Sequence, residues 1–215
     1  MAATRRKPLS RERVLAAALE LVDEQGIDAL SMRKLGQALG YEAMSLYNHV
    51  SNKDDLLDGI LDLVLAEMKP PDQNGGLAAI QTSSLAAQEA LQRHPWAAGL
   101  LTASGRIRPA RIEFMDALLG ALRNAGFSAE TTYHAYHVLD AHIIGFSLWQ
   151  TTHGSIPPGI GDMRAFIDRM VPAATYPHLH EHAIQHLEDG PHQDIPAFEY
   201  GLDLLLESLD TQARR

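Results

Sequence analysis

From Ser10 to Met68 the apolar residues recur at helical spacing, and each run opens on a capping residue and closes on glycine or a polar turn. This pattern leaves little choice but a set of short packed helices. Ser10 is placed to cap a helix with Val14, Leu15, Ala18, Leu21 and Val22 on one face and Gly26 as its stop. Ser31 is placed to cap a second, short helix that turns Leu35, Ala38 and Leu39 inward and ends at Gly40. A third, over about residues 42–48, is barely two turns long. "SNKD" (Ser51 to Asp54) has the [ST]-x-x-[DE] form of a capping box. It opens a longer helix with Leu56, Leu57, Ile60, Leu61, Val64, Leu65 and Met68 at helical spacing.

"KPPDQNGG" (Lys69 to Gly76) breaks that helix, because prolines and paired glycines do not continue one. Beyond it the spacing predicts helices over Leu77–Arg93, Pro95–Ser104, Arg108–Ala125, Ala129–Thr151, Asp162–Met170, Pro177–Leu187 and Pro196–Thr211, with Thr151 to Gly161 as a loop. No stretch alternates as a strand would. The fold class expected is all-α: a three-helix N-terminal domain over 1–53, a connecting helix over 54–69, a linker over 70–76 and a helical body over 77–215.

Charge divides the chain in the same place. The net charge is −9, yet residues 1–53 hold 8 Lys/Arg against 6 Asp/Glu, while residues 54–215 hold 10 against 21. A polyanion would meet the first part and be repelled by the second. There is no cysteine, which excludes a disulfide framework or a thiolate metal site and suits a cytoplasmic protein. No apolar run is long enough to span a membrane. "TRRKPLS" is read as a basic arm, since charge interrupts the segment after it where an export signal would be apolar.

Helix, glycine turn, short helix is the pattern of a helix-turn-helix, whose second helix enters the DNA major groove. "LGYEAMSLYNHVSNKDDLL" (Leu39 to Leu57) then reads as a surface built for a polar partner. Ala43 and Met44 suit thymine methyls, and Ser45 a base or a phosphate. Tyr47, His49 and Lys53 suit phosphates, which fix register. Arg33 suits a guanine or a phosphate, and the helix start at Ser31 a phosphate.

The run "RERVLAAALELVDEQGIDALSMRKLGQALGYEAMSLYNHVSNKDDLLDGIL" resembles the DNA-binding domain of the TetR family of transcriptional repressors, with "SLYNHVSNKDDLL" matching the family's LYxHxxxKxxLL ending. The resemblance implies that Ser31, Met32, Arg33, Ala43, Met44, Ser45, Tyr47, His49 and Lys53 stand where relatives contact DNA. The body, through "HPW", "ALLGALRNAGFSAETTYHAYHVLDAHIIGFSL" and "FEYGLDLLLESL", is similar to the tetracycline-repressor type. That implies a homodimer, joined through the helices at Ala129–Thr151 and Pro196–Thr211, that releases a pseudo-palindromic double-stranded operator on binding a small-molecule effector. Leu139, Ile143, Phe146, Leu202, Leu205 and Leu209 are apolar enough to serve either that interface or an internal core. Tetracycline repressors hold a magnesium-chelated drug with a histidine and a glutamate; aligned on "GFS" (Gly126 to Ser128), Thr102 and Trp149 stand there instead, so that site is expected to be missing.

Trp149, Phe146, Met115, Met163, Phe166 and Met170 are candidates to line an effector cavity, with Gln88, Gln92 and His134 as polar groups to orient a ligand. Each of the six apolar residues is also a candidate for core packing. His178, His182 and His186 share one helix stripe, but "HLHEHAIQH" lacks the HExxH arrangement of a zinc helix, and neither metal nor cofactor is expected. A metal-dependent hydrolase on that stripe would need a general base and oxyanion donors that nothing supplies, so no enzyme is expected. A dimeric DNA-binding protein whose body takes no small molecule fits the same residues.

Overall fold

The computed structural model describes residues 8–103, 108–153, 162–189 and 194–213, which form helices and turns with no strand among them. In the head, α1 (Arg11–Gln25) leads through a 3-10 turn (Ile27–Ala29) to α2 (Met32–Leu39) and α3 (Ala43–Leu46), and α4 (Lys53–Glu67) leaves it. The body contains α5 (Gly76–Arg93), α6 (Trp96–Ala103), α7 (Pro109–Asn124), α8 (Ala129–His153), α9 (Met163–Met170), α10 (Pro177–Asp189) and α11 (Asp194–Ala213).

The caps explain the boundaries. Ser10 Oγ accepts from the Arg13 amide and Ser31 Oγ from the Lys34 amide, each satisfying an amide that the first turn leaves free. Gly40 ends α2 in the left-handed region (φ 73°, ψ 30°), where a side chain is strained. Gly36 has a different reason to be glycine: a Cβ there would lie 2.7 Å from the Tyr41 carbonyl oxygen, so α2 and α3 meet this closely only without one.

Three expectations shift. The third helix spans only Ala43–Leu46, with Tyr47 to His49 as a turn. The cap of α4 is Asn52, whose Oδ1 accepts from the Asp55 amide at 2.8 Å. Asp55, not Asp54, reaches back to accept from the Ser51 amide, also at 2.8 Å, so the capping pattern sits one residue later than "SNKD" suggests. The helix at Ala129 runs on to His153, and residues 154–161 of the expected loop lie outside the described residues.

Two apolar cores divide α4 between them. Leu56 and Ile60 join Val14, Leu15, Ala18, Leu21, Leu35 and Leu46 in the head. Leu61, Val64, Leu65 and Met68 join Ile80, Leu91, Phe114, Leu118 and Leu122 in the body. Burying side chains of this size stabilises each core by roughly 1.5–3 kcal/mol apiece. In the body, α5 packs on α7, α8 and α11, and α8 packs on α11. Leu139, Ile143, Leu202 and Leu209 are buried in this subunit's own core, with Phe146 and Leu205 packed against it. The four buried ones thus serve this subunit's own core.

Candidate nucleic-acid interface and effector cleft

The amphipathic placement of Leu46 decides how α3 presents itself. Leu46 is fully buried in the head core, which turns Met44 outward at 76% exposure and leaves Tyr47 46% exposed. Ser31 and Arg33, at the start of α2, and Lys53, at the start of α4, are also exposed. Ala43, Ser45 and His49 are half-buried, and Met32 packs against the head core. Between α2 and α3, a hollow is lined by Gly36, Gln37, Gly40, Tyr41, Glu42 and Ser45. The nine residues expected to meet DNA thus come from three segments that the packing of α2 on α3 and α1 on α4 holds together.

One ion pair fixes the base of this surface. Arg11 donates to both carboxylate oxygens of Asp55, at 2.7 and 3.1 Å, and to the His49 carbonyl oxygen at 3.0 Å. The Arg11 guanidinium, then the Ser51 amide, pull the Asp55 carboxyl down to a pKa of about 2. Helix α1 is thereby tied to the turn that carries His49 and to the start of α4.

The residues expected to line an effector cavity separate into groups. Gln88 is buried on α5; its amide donates to Gln150 Oε1 at 2.7 Å and its oxygen accepts from Ser147 Oγ at 2.8 Å. Phe146 lies beside Trp149 (ring centroids 5.6 Å) and Phe198 (5.4 Å), and Met115 packs on the same core. Gln92 is half-buried one turn beyond Gln88. His134 lies elsewhere, exposed on α8, where it lines a hollow with Val138, Leu205 and Leu209. Met163, Phe166 and Met170 belong to α9, which packs on α10, and Met170 is exposed. His178 and His182 are exposed on α10, and the side chain of His186 lies outside the described residues. Among the described residues no group of three His, Asp or Glu side chains is arranged to hold a metal ion.

A cleft of about 400 Å³ that the sequence did not suggest opens between α6, α7 and α8. Its walls are Leu101, Ala141, Ile144, Gly145 and Leu148; its polar groups are Thr102, His137 and the ion pair Arg111–Asp140. The Thr102 hydroxyl donates within its own helix, to Gly99 O at 2.9 Å. Asp140 and Arg111 are 29 residues apart on different helices, and no local pattern announces such a pair.

The profile "Bacterial regulatory proteins, tetR family" matches residues 14–60, and "Tetracyclin repressor-like, C-terminal domain" matches residues 70–213. The chain belongs to the TetR family. An HTH-type transcriptional regulator of Saccharopolyspora erythraea is 39% identical to this TetR-family protein over 150 residues, covering 66% of this chain and 61% of that one, less than two thirds of its length. The class D tetracycline repressor protein of Escherichia coli is 29% identical over 209 residues, 95% of this chain and 90% of that protein. Among solved structures, the Streptomyces coelicolor TetR family protein ActR in complex with actinorhodin superposes with a TM-score of 0.70 at 27% identity, covering 97% of this chain and all of that one. No helix among the described residues is long and apolar enough to cross a membrane.

Proposed function

We propose that this TetR-family protein is a homodimeric transcriptional repressor that leaves its operator when a small molecule binds the body. The observation that carries the reading is the head: Leu46 buried beneath an outward Met44 and Tyr47, with Ser31, Arg33 and Lys53 exposed around them. Relatives along nearly the whole chain are repressors by name, and ActR is solved with a small molecule bound. The two heads meet half-sites about 34–36 Å apart, or a multiple of that. The acidic body faces away from the DNA, and the protein acts in the cytoplasm without catalysing a reaction.

The dimer forms through the outer faces of α8 and α11. There Val138 on α8 and Tyr200 and Leu204 on α11 are large apolar side chains left exposed, and the two helices already pack on each other. The effector enters the α5–α8 side of the body, near Phe146 and Trp149 or the Arg111–Asp140 cleft. Thr102 and Trp149 favour a ligand other than a magnesium–tetracycline chelate. The effector must bind the released state better than the operator-bound one, and DNA must weaken effector binding by the same factor.

The test is a gel shift on the DNA flanking the protein's own coding region, across a salt series. A discrete shift competed only by specific sequence is expected. Tyr47→Ala and Lys53→Ala should weaken binding to all sequences and flatten its salt dependence, while Met44→Ala should change sequence preference. Preference unchanged by Met44→Ala would remove α3 from the groove.

A further inference from the structure

One polar cluster, with a buried histidine at its centre, belongs neither to the DNA face nor to the clefts of the body. It lies where the C-terminal ends of α1 and α4 meet the turn between α5 and α6. His94, which ends α5, is 7% exposed. Its Nδ1 lies 2.9 Å from both carboxylate oxygens of Asp23, in the last turn of α1. Its Nε2 is buried, has no hydrogen-bond partner among the described residues, and faces Glu67 Oε2, on the last residue of α4, at 3.5 Å. Trp96 Nε1 donates to Asp23 at 2.7 Å, and Arg93 pairs with Glu67.

Helix stability does not account for these residues. The C-terminal end of a helix carries partial negative charge and disfavours a carboxylate, yet Asp23 and Glu67 sit at such ends and neither α1 nor α4 has a basic residue in its last turn. What the two carboxylates share is His94. A neutral ring that donates from Nδ1 to Asp23 turns a lone pair toward Glu67, whereas the doubly protonated ring donates toward both. Asp23 belongs to the helix around which the head core forms, while His94 and Trp96 belong to the body. Trp96 itself packs against both cores. The contacts of Asp23 with His94 and Trp96 therefore join head to body by a route that does not run along α4.

We propose that His94 is a positioning residue that fixes the angle of the head on the body, so that the separation of the two heads is set at this clamp as well as through α4. This rests on the dimeric repressor reading. It places the control of operator spacing at the α5–α6 turn, directly before the helix that carries Leu101 and Thr102 of the cleft.

The chain has no cysteine, so Ala16→Cys, on the exposed side of α1, puts a single spin label on each head. Pulsed electron paramagnetic resonance then gives the distance between heads without operator or effector. The labelled parent should give one narrow distribution. His94→Gln, and the near-isosteric Asp23→Asn and Glu67→Gln, should broaden or displace it while the helical circular dichroism is retained. A distribution that is the same in Asp23→Asn and Glu67→Gln as in the parent overturns the proposal, whatever becomes of His94→Gln. If the labels show no coupling because the chain is a monomer, the dimeric reading fails. The doubly labelled Ala16→Cys/Glu113→Cys chain then reads the head–body distance within one subunit, and an unchanged distance in the same two variants overturns the clamp.

Discussion

Asp55 performs two tasks in the head, and both depend on the charge of its carboxylate. Its carboxylate receives Arg11 from α1 and the Ser51 amide from the turn before α4. Asp55→Asn removes the charge and should destabilise the protein by about 1 kcal/mol, the range of a well-aligned partly exposed ion pair with a capping contact. The folded-state pKa is depressed, so the stabilisation is fully present above the ordinary carboxyl value of 3.8 and is lost as pH falls toward about 2. Denaturant midpoints of parent and variant should therefore differ at neutral pH and converge as the pH is taken through that window. Curves that stay parallel down to the lower limit would show that Arg11 takes nothing from the charge.

Among the elements, α4 has the most demanding position. Ile60 and Met68, two turns apart, lie in different cores and are both fully buried. Ile60→Ala and Met68→Ala should each cost about 2–5 kcal/mol, as large-to-small changes in a closed core do. Because the helix is common to both cores, unfolding followed by circular dichroism and by operator binding should stay a single transition in either variant. Two separated transitions would mean that the cores are independent. The helices were largely legible in the sequence, because capping and periodicity act over three or four residues: Ser10, Gly26, Ser31 and Gly40 mark their ends as expected. The outward turn of Met44 follows from the same spacing once Leu46 goes inward. Pairs across space were not legible. Arg11 and Asp55 are 44 residues apart, and His94 and Asp23 are 71 apart. Helix α8 was hard to orient for another reason: Tyr133 and Val138 point out while Leu139 and Ile143 point in, so apolar content alone does not say which face is which.

For the molecule as a whole, affinity depends on two heads acting through one body. Leu204 and Val138 are about half exposed on adjoining helices, and neither serves the subunit's own core. Leu204→Asp with Val138→Asp should give a folded monomer by light scattering. Operator affinity should then fall on the order of a hundredfold, the loss expected when two linked contacts become one. A dimer that survives both changes would place the interface elsewhere. The body carries most of the acidic residues, so if the heads hold the phosphates as proposed, the salt dependence of binding should be set by the first 53 residues alone.

The division of α4 has a consequence for how such heads are exchanged among relatives. A recombination joint in the proline–glycine segment after α4 would transplant Leu61, Val64, Leu65 and Met68 into a foreign body whose pocket for them has a different shape. A joint between Ile60 and Leu61 leaves the buried residues of each core together, with only Leu19 and Trp96 among the described residues packing across it, although it cuts through the middle of a continuous helix. Hybrid regulators built from this chain should tolerate the second junction better than the first, and the seam that matters lies where the sequence shows no break.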